Sequence, residues 1–388
     1  MTQQLTTEIY SLAFGGQGVG KVDGKVCFVT GALPGEKVVF DVEKDTARYA
    51  SGKVVEILTP SSDRTEPECP YYGRCGGCQL QHITYEKELF YKKQQVAELL
   101  GRIGGIKDIE IPEIVASKEP YNYRTSVTLH DAGGGCGYYA IDGKTVMKID
   151  RCSVATEAIN SYLEGMTNEK KAERVTLKSD HAGKVWSSES TGERFFFDEF
   201  RGNEICLSTK GFSQPNRHIA EKIVETIEEW IGPDCGDTVF FDLYCGVGFF
   251  SFLLKNDFHS RIGIDSSRIS IDCAKTTSAK NGRKDVKFYK SDAEEAFFSL
   301  FERSKRERNM ILIDPPRKGL NGDFIKKLKE MTGAEKMYYL SCDPARLARD
   351  IKVITDENAW KLGRIRVFDM FPRTKHIETL VELVNSKL

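Results

Sequence analysis

The sequence has no run of eighteen apolar residues, which excludes a hydropathic membrane-spanning helix. Its start, MTQQLTTEIY, lacks both a basic stretch and an apolar core, so no signal peptide is expected and the cytoplasm is the default compartment. An excess of charge is also missing. With 56 Lys and Arg against 57 Asp and Glu, the net charge of −1 does not announce nucleic acid, and a basic patch has to be sought locally. Repeats and low-complexity tracts are absent. So are the paired two-residue cysteine spacings of a zinc ribbon and the two-cysteine, two-histidine pattern of a finger. An odd number of cysteines, eleven, spread over a long chain in a reducing compartment argues against a disulfide framework. Metal binding, catalysis and plain burial are left.

What is present divides into three parts, as 388 residues with 40% hydrophobic content lead one to expect. Residues 1–59 carry short alternating runs, KVCFV, KVVFDVE and GKVVEIL, separated by turn signals such as Pro34-Gly35, and predict a small antiparallel barrel. The GGQGVG at Gly15–Gly20 resembles a phosphate loop, but KVDGKVCFV follows it rather than a helix, so a turn is expected. Residues 60–205 hold a cysteine cluster, a helix at YEKELFYKKQQVAELLG expected to pack on the following domain, and short strands broken by DAGGGCG and DGK. From 206 to 388 the pattern becomes strand, tight loop, helix: TVFFDLY, RIGID, VKFYKSD, NMILIDPP and KMYYLSC alternate with helical stretches. That alternation predicts a mostly parallel α/β sheet.

In such sheets ligands sit beyond the carboxyl ends of the strands. The first strand ends in DLYCGVGFFS, where Asp242, Tyr244, Gly246 and Gly248 form a glycine turn that lets a ligand approach the backbone. Ser251 occupies the place of the third glycine of a dinucleotide fingerprint. The second strand ends at Asp265, placed to accept hydrogen bonds from ribose hydroxyls, and the third ends near Asp292. This set fits an adenosine ligand without a pyrophosphate, S-adenosylmethionine first, with a nicotinamide cofactor or a structural turn as alternatives. The fourth strand ends in IDPPRKG, Asp314 to Gly319, whose two prolines make a rigid extended turn able to hold a planar base; several amino-group methyltransferases use a similar motif. The fifth ends at Cys342, before a helix starting at PARLARD, where a helix N-terminus is expected to lower the thiol pKa from roughly 8.5. Cys245 and Cys273 are expected to be buried structural cysteines. From Lys361 to His376 the chain sets Lys361, Arg364, Arg366, Arg373 and Lys375 against the single acid Asp369, either a basic strip for phosphates or a solvated face. Glu378 follows, by itself an ordinary surface carboxylate.

ECPYYGRCGGCQ places Cys69, Cys75 and Cys78 with five and then two residues between them. Three thiols require a fourth ligand, and on the residues alone Cys136, in a glycine-rich loop, competes for the place.

Taken in order, CPYYGRCGGC with DRC, GFSQPN, DLYCGVG, IDPPRKG, YLSCDP and FPRTKHIE resemble the RNA uracil carbon-5 methyltransferases, in the branch with an N-terminal TRAM barrel and a [4Fe-4S] cluster. The resemblance covers essentially the whole chain. It implies a Rossmann-like α/β class I methyltransferase domain, an OB-like TRAM β-barrel and a small cluster-bearing α+β domain between them. Gln214, Tyr244, Asp265, Asp292 and Asp314, with the Gly246 and Gly248 turn, would contact the donor S-adenosylmethionine or the base. Phe249 stands where some relatives carry a polar residue. The resemblance makes Cys342 the nucleophile at carbon 6 and Glu378 the base that removes the carbon 5 proton. It names Cys152, in KIDRCSVA, as fourth ligand to a structural [4Fe-4S] cluster with Cys69, Cys75 and Cys78, zinc being the alternative; a radical enzyme would space its cysteines differently. The expected partner is RNA with the target nucleotide flipped out, 23S ribosomal RNA before transfer RNA, with no membrane and a monomeric enzyme. An amino-group methyltransferase and a non-catalytic RNA-binding module are the competing readings.

Overall fold

The computed structural model describes residues 3–106, 110–166, 173–189, 195–304 and 308–386. Strands β1 (Gln4–Leu12), β2 (Gln17–Val22), β3 (Lys25–Thr30), β4 (Lys37–Asp45) and β5 (Tyr49–Thr59) close into a barrel in the order β1-β2-β3-β5-β4. The alternation of KVCFVT turns Cys27 and Val29 inward, where both are fully buried with Val38 and Phe40. Gly52 is required by the closure, because a Cβ there would stand 1.8 Å from the carbonyl oxygen of Asp41. GGQGVG is the β1–β2 turn running into β2, and no helix follows it, as the pattern predicts.

The middle of the chain contains α1 (Tyr85–Arg102), β6 (Ser126–Asp131), β7 (Cys136–Tyr139), β8 (Val146–Lys148), α2 (Glu157–Glu164), β9 (Arg174–Ser179) and β10 (Val185–Ser187). Five strands form a sheet in the order β10-β9-β6-β7-β8, and β11 (Phe195–Phe200) pairs with β12 (Asn203–Ser208) as a hairpin. Helix α1 leaves this company: Val96 and Leu100 are buried in the core of the C-terminal sheet.

The C-terminal part follows as α3 (Arg217–Ile231), β13 (Thr238–Leu243), α4 (Phe249–Leu253), β14 (Ser260–Asp265), α5 (Arg268–Lys280), β15 (Val286–Lys290), α6 (Ala293–Ser304), β16 (Arg308–Ile313), α7 (Gly322–Glu330), β17 (Lys336–Ser341), α8 (Pro344–Ile354), β18 (Trp360–Phe368) and β19 (Glu378–Asn385). Seven strands order as β15-β14-β13-β16-β17-β19-β18, with β19 antiparallel to both its neighbours. β13, TVFFDL, is buried at every position, as a central parallel strand covered on both faces must be. Helix α1 packs on α8. Among the described residues no helix is long and apolar enough to cross a membrane.

Candidate active site

Strand register assembles the site. Leu243 pairs with Ile264 and Ile313, and Ser341 with Thr379, so the next residues along, Asp265, Tyr244, Asp314, Cys342 and Glu378, stand along one edge of the sheet. The chain order reverses between β13 and β16, the switch point where open α/β sheets bind ligands.

On one side of that point is the glycine turn. Tyr244, Gly246 and Gly248 all take positive φ, at 61°, 54° and 79°. A Cβ on Gly248 would stand 2.7 Å from Phe288 and 2.8 Å from Phe252, so close packing as well as backbone conformation demands glycine. Asp265 accepts from the amides of Gly246 at 3.0 Å and Ser267 at 2.7 Å, which ties the turn to the next strand end. Ser251, where a third glycine would stand, donates its hydroxyl to Asp242 at 2.6 Å and its amide at 3.1 Å. The second Asp242 oxygen has no hydrogen-bond partner, and burial pushes this carboxyl up to about 7. Asp292 caps α6, accepting from Glu294 and Glu295 amides. Tyr244 donates to Glu294 at 2.6 Å. Gln214 lies half-buried in the loop before α3, where its carbonyl accepts from Thr125 at 3.5 Å. Phe249 is buried edge-on to Phe200, an apolar core position.

On the other side are three acids of different kinds. Burial pushes Asp314 up to about 7, with Asp242 adding to the effect. Glu378 is 8% exposed, and one of its oxygens has no hydrogen-bond partner. Burial, then Asp314, holds its carboxyl well above the ordinary range, and only Arg317 opposes them. The surface-carboxylate reading of Glu378 is therefore corrected. Cys342 is half-buried, and burial with Glu378 and Asp314 drives its thiol up to about 12, against Arg317. This reverses the expectation of a lowered thiol pKa. The α8 N-terminus is already satisfied by Asp343, whose carboxylate accepts from the amides of Ala345 and Arg346 at 3.0 Å each. Two residues not singled out in the sequence join the site. Arg317, in IDPPRKG, lies 3.4 Å from the ring nitrogen of His376, and burial with Arg317 and Lys375 pushes His376 down to about 4. Their signal was their place inside two of the quoted motifs.

The basic strip divides. Arg364 pairs with Glu382 through two contacts of 2.8 Å, Arg373 is buried, and Asp369 is paired with Lys92. Neither a continuous phosphate strip nor a solvated face describes it.

Cys69, Cys75, Cys78 and Cys152 line one cavity of about 570 Å³, which Arg317 and Phe371 also line. Burial pushes Cys78 up to about 12, with Cys152, Cys75 and Cys69 each adding to it. Cys136 instead is buried against the core of the middle sheet and does not line the cavity. Among the described residues, no three Cys, His, Asp or Glu side chains converge tightly enough to hold a metal ion as they stand.

Residues 205–386 match the family described as tRNA (Uracil-5-)-methyltransferase, and residues 3–55 match the TRAM domain. An Aquifex aeolicus relative named uncharacterized RNA methyltransferase is 30% identical, the alignment covering 98% of both chains. The chain belongs to the RNA uracil-5-methyltransferase family. A Vibrio parahaemolyticus relative named 23S rRNA (uracil(1939)-C(5))-methyltransferase RlmD is 26% identical over 98% of this chain and 95% of its own. In fold the chain is similar to the Pyrococcus abyssi tRNA (uracil-54, C5)-methyltransferase solved with S-adenosyl-L-homocysteine, with a TM-score of 0.74, 21% identity and coverage of 98% of this chain and all of that one. As in that family, this enzyme is an RNA uracil-5-methyltransferase that uses S-adenosylmethionine, built from a TRAM barrel and a class I methyltransferase sheet.

Proposed function

We propose that this enzyme methylates carbon 5 of a uridine in large ribosomal RNA through a covalent adduct on Cys342. The observation that carries the reading is the register of β17 and β19, which sets Cys342 opposite Glu378 with Asp314 on the neighbouring strand end. Carbon 5 of uracil is a weak nucleophile. Addition of the Cys342 thiolate to carbon 6 forms a sulfur–carbon bond and moves the ring's double-bond electrons into an enolate. S-adenosylmethionine supplies an electrophilic methyl group on a sulfonium. Once carbon 5 carries that methyl, the Glu378 carboxylate takes the carbon 5 proton, the carbon 5–carbon 6 double bond re-forms, and the sulfur–carbon bond breaks to return the thiolate. Burial and neighbouring acids raise the proton affinity of Cys342 and Glu378 in the free site, and positive charge arriving beside them favours their anionic forms. Tyr244, Gly246, Gly248 and Asp265 would hold the donor, with Asp292 and Gln214 as further expected contacts. Ribosomal rather than transfer RNA is supported by the named Vibrio relative.

The four thiols lining one cavity have the donor chemistry for a [4Fe-4S] cluster, which when bound would supply a rigid cross-link between Cys152 and the Cys69–Cys78 loop. Protein purified without oxygen should contain about four irons per chain. Stoichiometric zinc and no iron would overturn this. Cys152→Ser should lose the iron, and Cys136→Ser should keep it.

The mechanism is tested by Glu378→Gln, which should stall after methyl transfer and accumulate methylated RNA on Cys342 as a band that survives denaturation. Cys342→Ala should give no band. Normal turnover by Glu378→Gln removes that residue from the mechanism, and full activity of Cys342→Ala would favour amino-group chemistry at the IDPPR motif. Mass mapping of RNA from a deletion strain decides between ribosomal and transfer RNA.

A further inference from the structure

The segment that leads to Glu378 is held by charges the mechanism does not use. Lys92, on α1, donates to Glu88 at 2.7 Å, to Asp369 at 2.6 Å and to the carbonyl of Phe371 at 3.3 Å. The side chains of Lys92, Glu88 and Asp369 are at most 1% exposed. Tyr85 donates to the other Asp369 oxygen at 2.8 Å. Glu88 in turn accepts from the backbone amide of Arg373 at 2.8 Å, and the Arg373 guanidinium donates to the carbonyl of Ile83 at 2.9 Å. Arg373 adopts φ of 66°, a conformation that a non-glycine residue keeps only where its surroundings impose it. From the opposite side the amides of Gln79 and Leu80, which directly follow Cys78, donate to the carbonyl of Arg373 at 3.1 and 3.0 Å.

Two acids and two bases buried together are not an economical source of stability, since a well-packed apolar replacement often does as well. What they give is a fixed geometry for residues 369–373. Glu378 opens β19 and pairs with Phe368, the residue directly before Asp369, whereas Cys342 follows β17 and is held at the α8 N-terminus by the Asp343 cap. The tether therefore bears on Glu378 more directly than on Cys342.

We propose that Lys92, together with Glu88, is a positioning residue for the proton-abstraction step: by holding residues 369–373 from α1 it fixes where Glu378 stands relative to carbon 5. This rests on the reading of Glu378 as the base. Loss of the tether slows elimination while leaving thiolate addition and methyl transfer intact.

The two halves of the reaction separate with two RNAs, one isolated from a strain lacking this gene and the same RNA carrying 5-fluorouridine. Fluorine on carbon 5 leaves no proton to remove, so the rate of covalent adduct formation reports only addition and methyl transfer. Lys92→Met should lower turnover on the uridine RNA by about a hundredfold, the scale expected for a misplacement of about 1 Å. Its adduct rate on the 5-fluorouridine RNA should stay within about twofold of the parent enzyme. Tyr85→Phe, which removes one hydroxyl and no charge, should show the same split at about a tenth of the size and remains informative should Lys92→Met not fold. Equal falls in both rates, or no fall in either, overturn the proposal. Glu378→Gln is the control: if it too fails to separate the rates, the assignment of the base falls and the proposal with it.

Discussion

Two clusters of buried ionisable groups draw on residues 369–378, one on Asp369 and Arg373 and the other on Glu378, and they are built on different rules. Around Lys92 every charge has a partner of opposite sign within hydrogen-bond reach and the backbone takes further contacts, with the Nε of Arg373 left without one. Around Cys342, burial and neighbouring acids push Asp314, Cys342 and Glu378 all up from their ordinary values with Arg317 as the opposing charge, and one Glu378 oxygen has no partner. Paired burial fixes shape. Unpaired burial stores a readiness to exchange protons, which structures keep where chemistry needs it.

If that contrast is right, substitutions in the two clusters should fail differently. The largest effect is expected from Cys342→Ala, which should cost at least about 10⁴-fold in turnover, the scale seen on removing a covalent nucleophile. Melting temperature and donor binding should hardly change, because the thiol supports no other group. Next comes Asp369→Asn, expected to destabilise the protein by about 3 kcal/mol by leaving the Lys92 ammonium short of a buried counter-charge. Denaturant unfolding followed with limited proteolysis near α1 would measure it. A stability loss for Cys342→Ala as large as that for Asp369→Asn would break the comparison.

A third expectation concerns pH. The Cys342 thiol is held up to about 12 in the free enzyme, so the thiolate fraction grows tenfold with each pH unit below that value. Single-turnover adduct formation on 5-fluorouridine RNA should therefore rise with pH through neutrality, and the donor's positive charge should shift the rise to lower pH. A flat profile from pH 6 to 9 would show that the thiolate is already formed.

The edge of the sheet was legible in the sequence because each functional residue directly follows a hydrophobic run, and a parallel sheet aligns the ends of such runs. TVFFDL ends before Tyr244, NMILI before Asp314 and KMYYLS before Cys342, so local pattern and position coincide. The Cys342 environment was misread because a helix N-terminus was credited with its amides, whereas the adjacent Asp343 already takes two of them. The basic strip failed for a different reason. The partners of Arg373 and Asp369 come from far away, Glu88 at 285 residues and Lys92 at 277, and no window along the chain reveals a pairing made by tertiary contact. The same distance concealed the burial of Glu378, which reads locally as a polar residue opening an apolar strand. Cys152 needed both levels: composition offered Cys136 equally, and only the fold sends one to the cavity and the other to the core.

The smallest predicted effect separates the clusters most directly. Glu378 is buried with its carboxyl held well above the ordinary range, so folding favours its protonated form. Below the ordinary carboxylate value both the folded and the unfolded chain carry that proton, and the group contributes no pH dependence. As pH rises past that value the unfolded chain releases the proton while the folded chain keeps it. The unfolded state gains, and stability falls until the folded carboxyl also ionises. Glutamine cannot ionise, so Glu378→Gln escapes this loss. The variant should match the parent enzyme near pH 4 and exceed it at pH 7 by on the order of 1 kcal/mol or more, since each pH unit over which only the unfolded chain ionises costs about 1.4 kcal/mol. Glu88→Gln removes a partner from the paired cluster and should instead be the weaker protein at pH 7. Melting curves for the three proteins at the two pH values provide the measurement, and a Glu378→Gln variant less stable than its parent at pH 7 would mean that this carboxylate is held by contacts like those around Lys92.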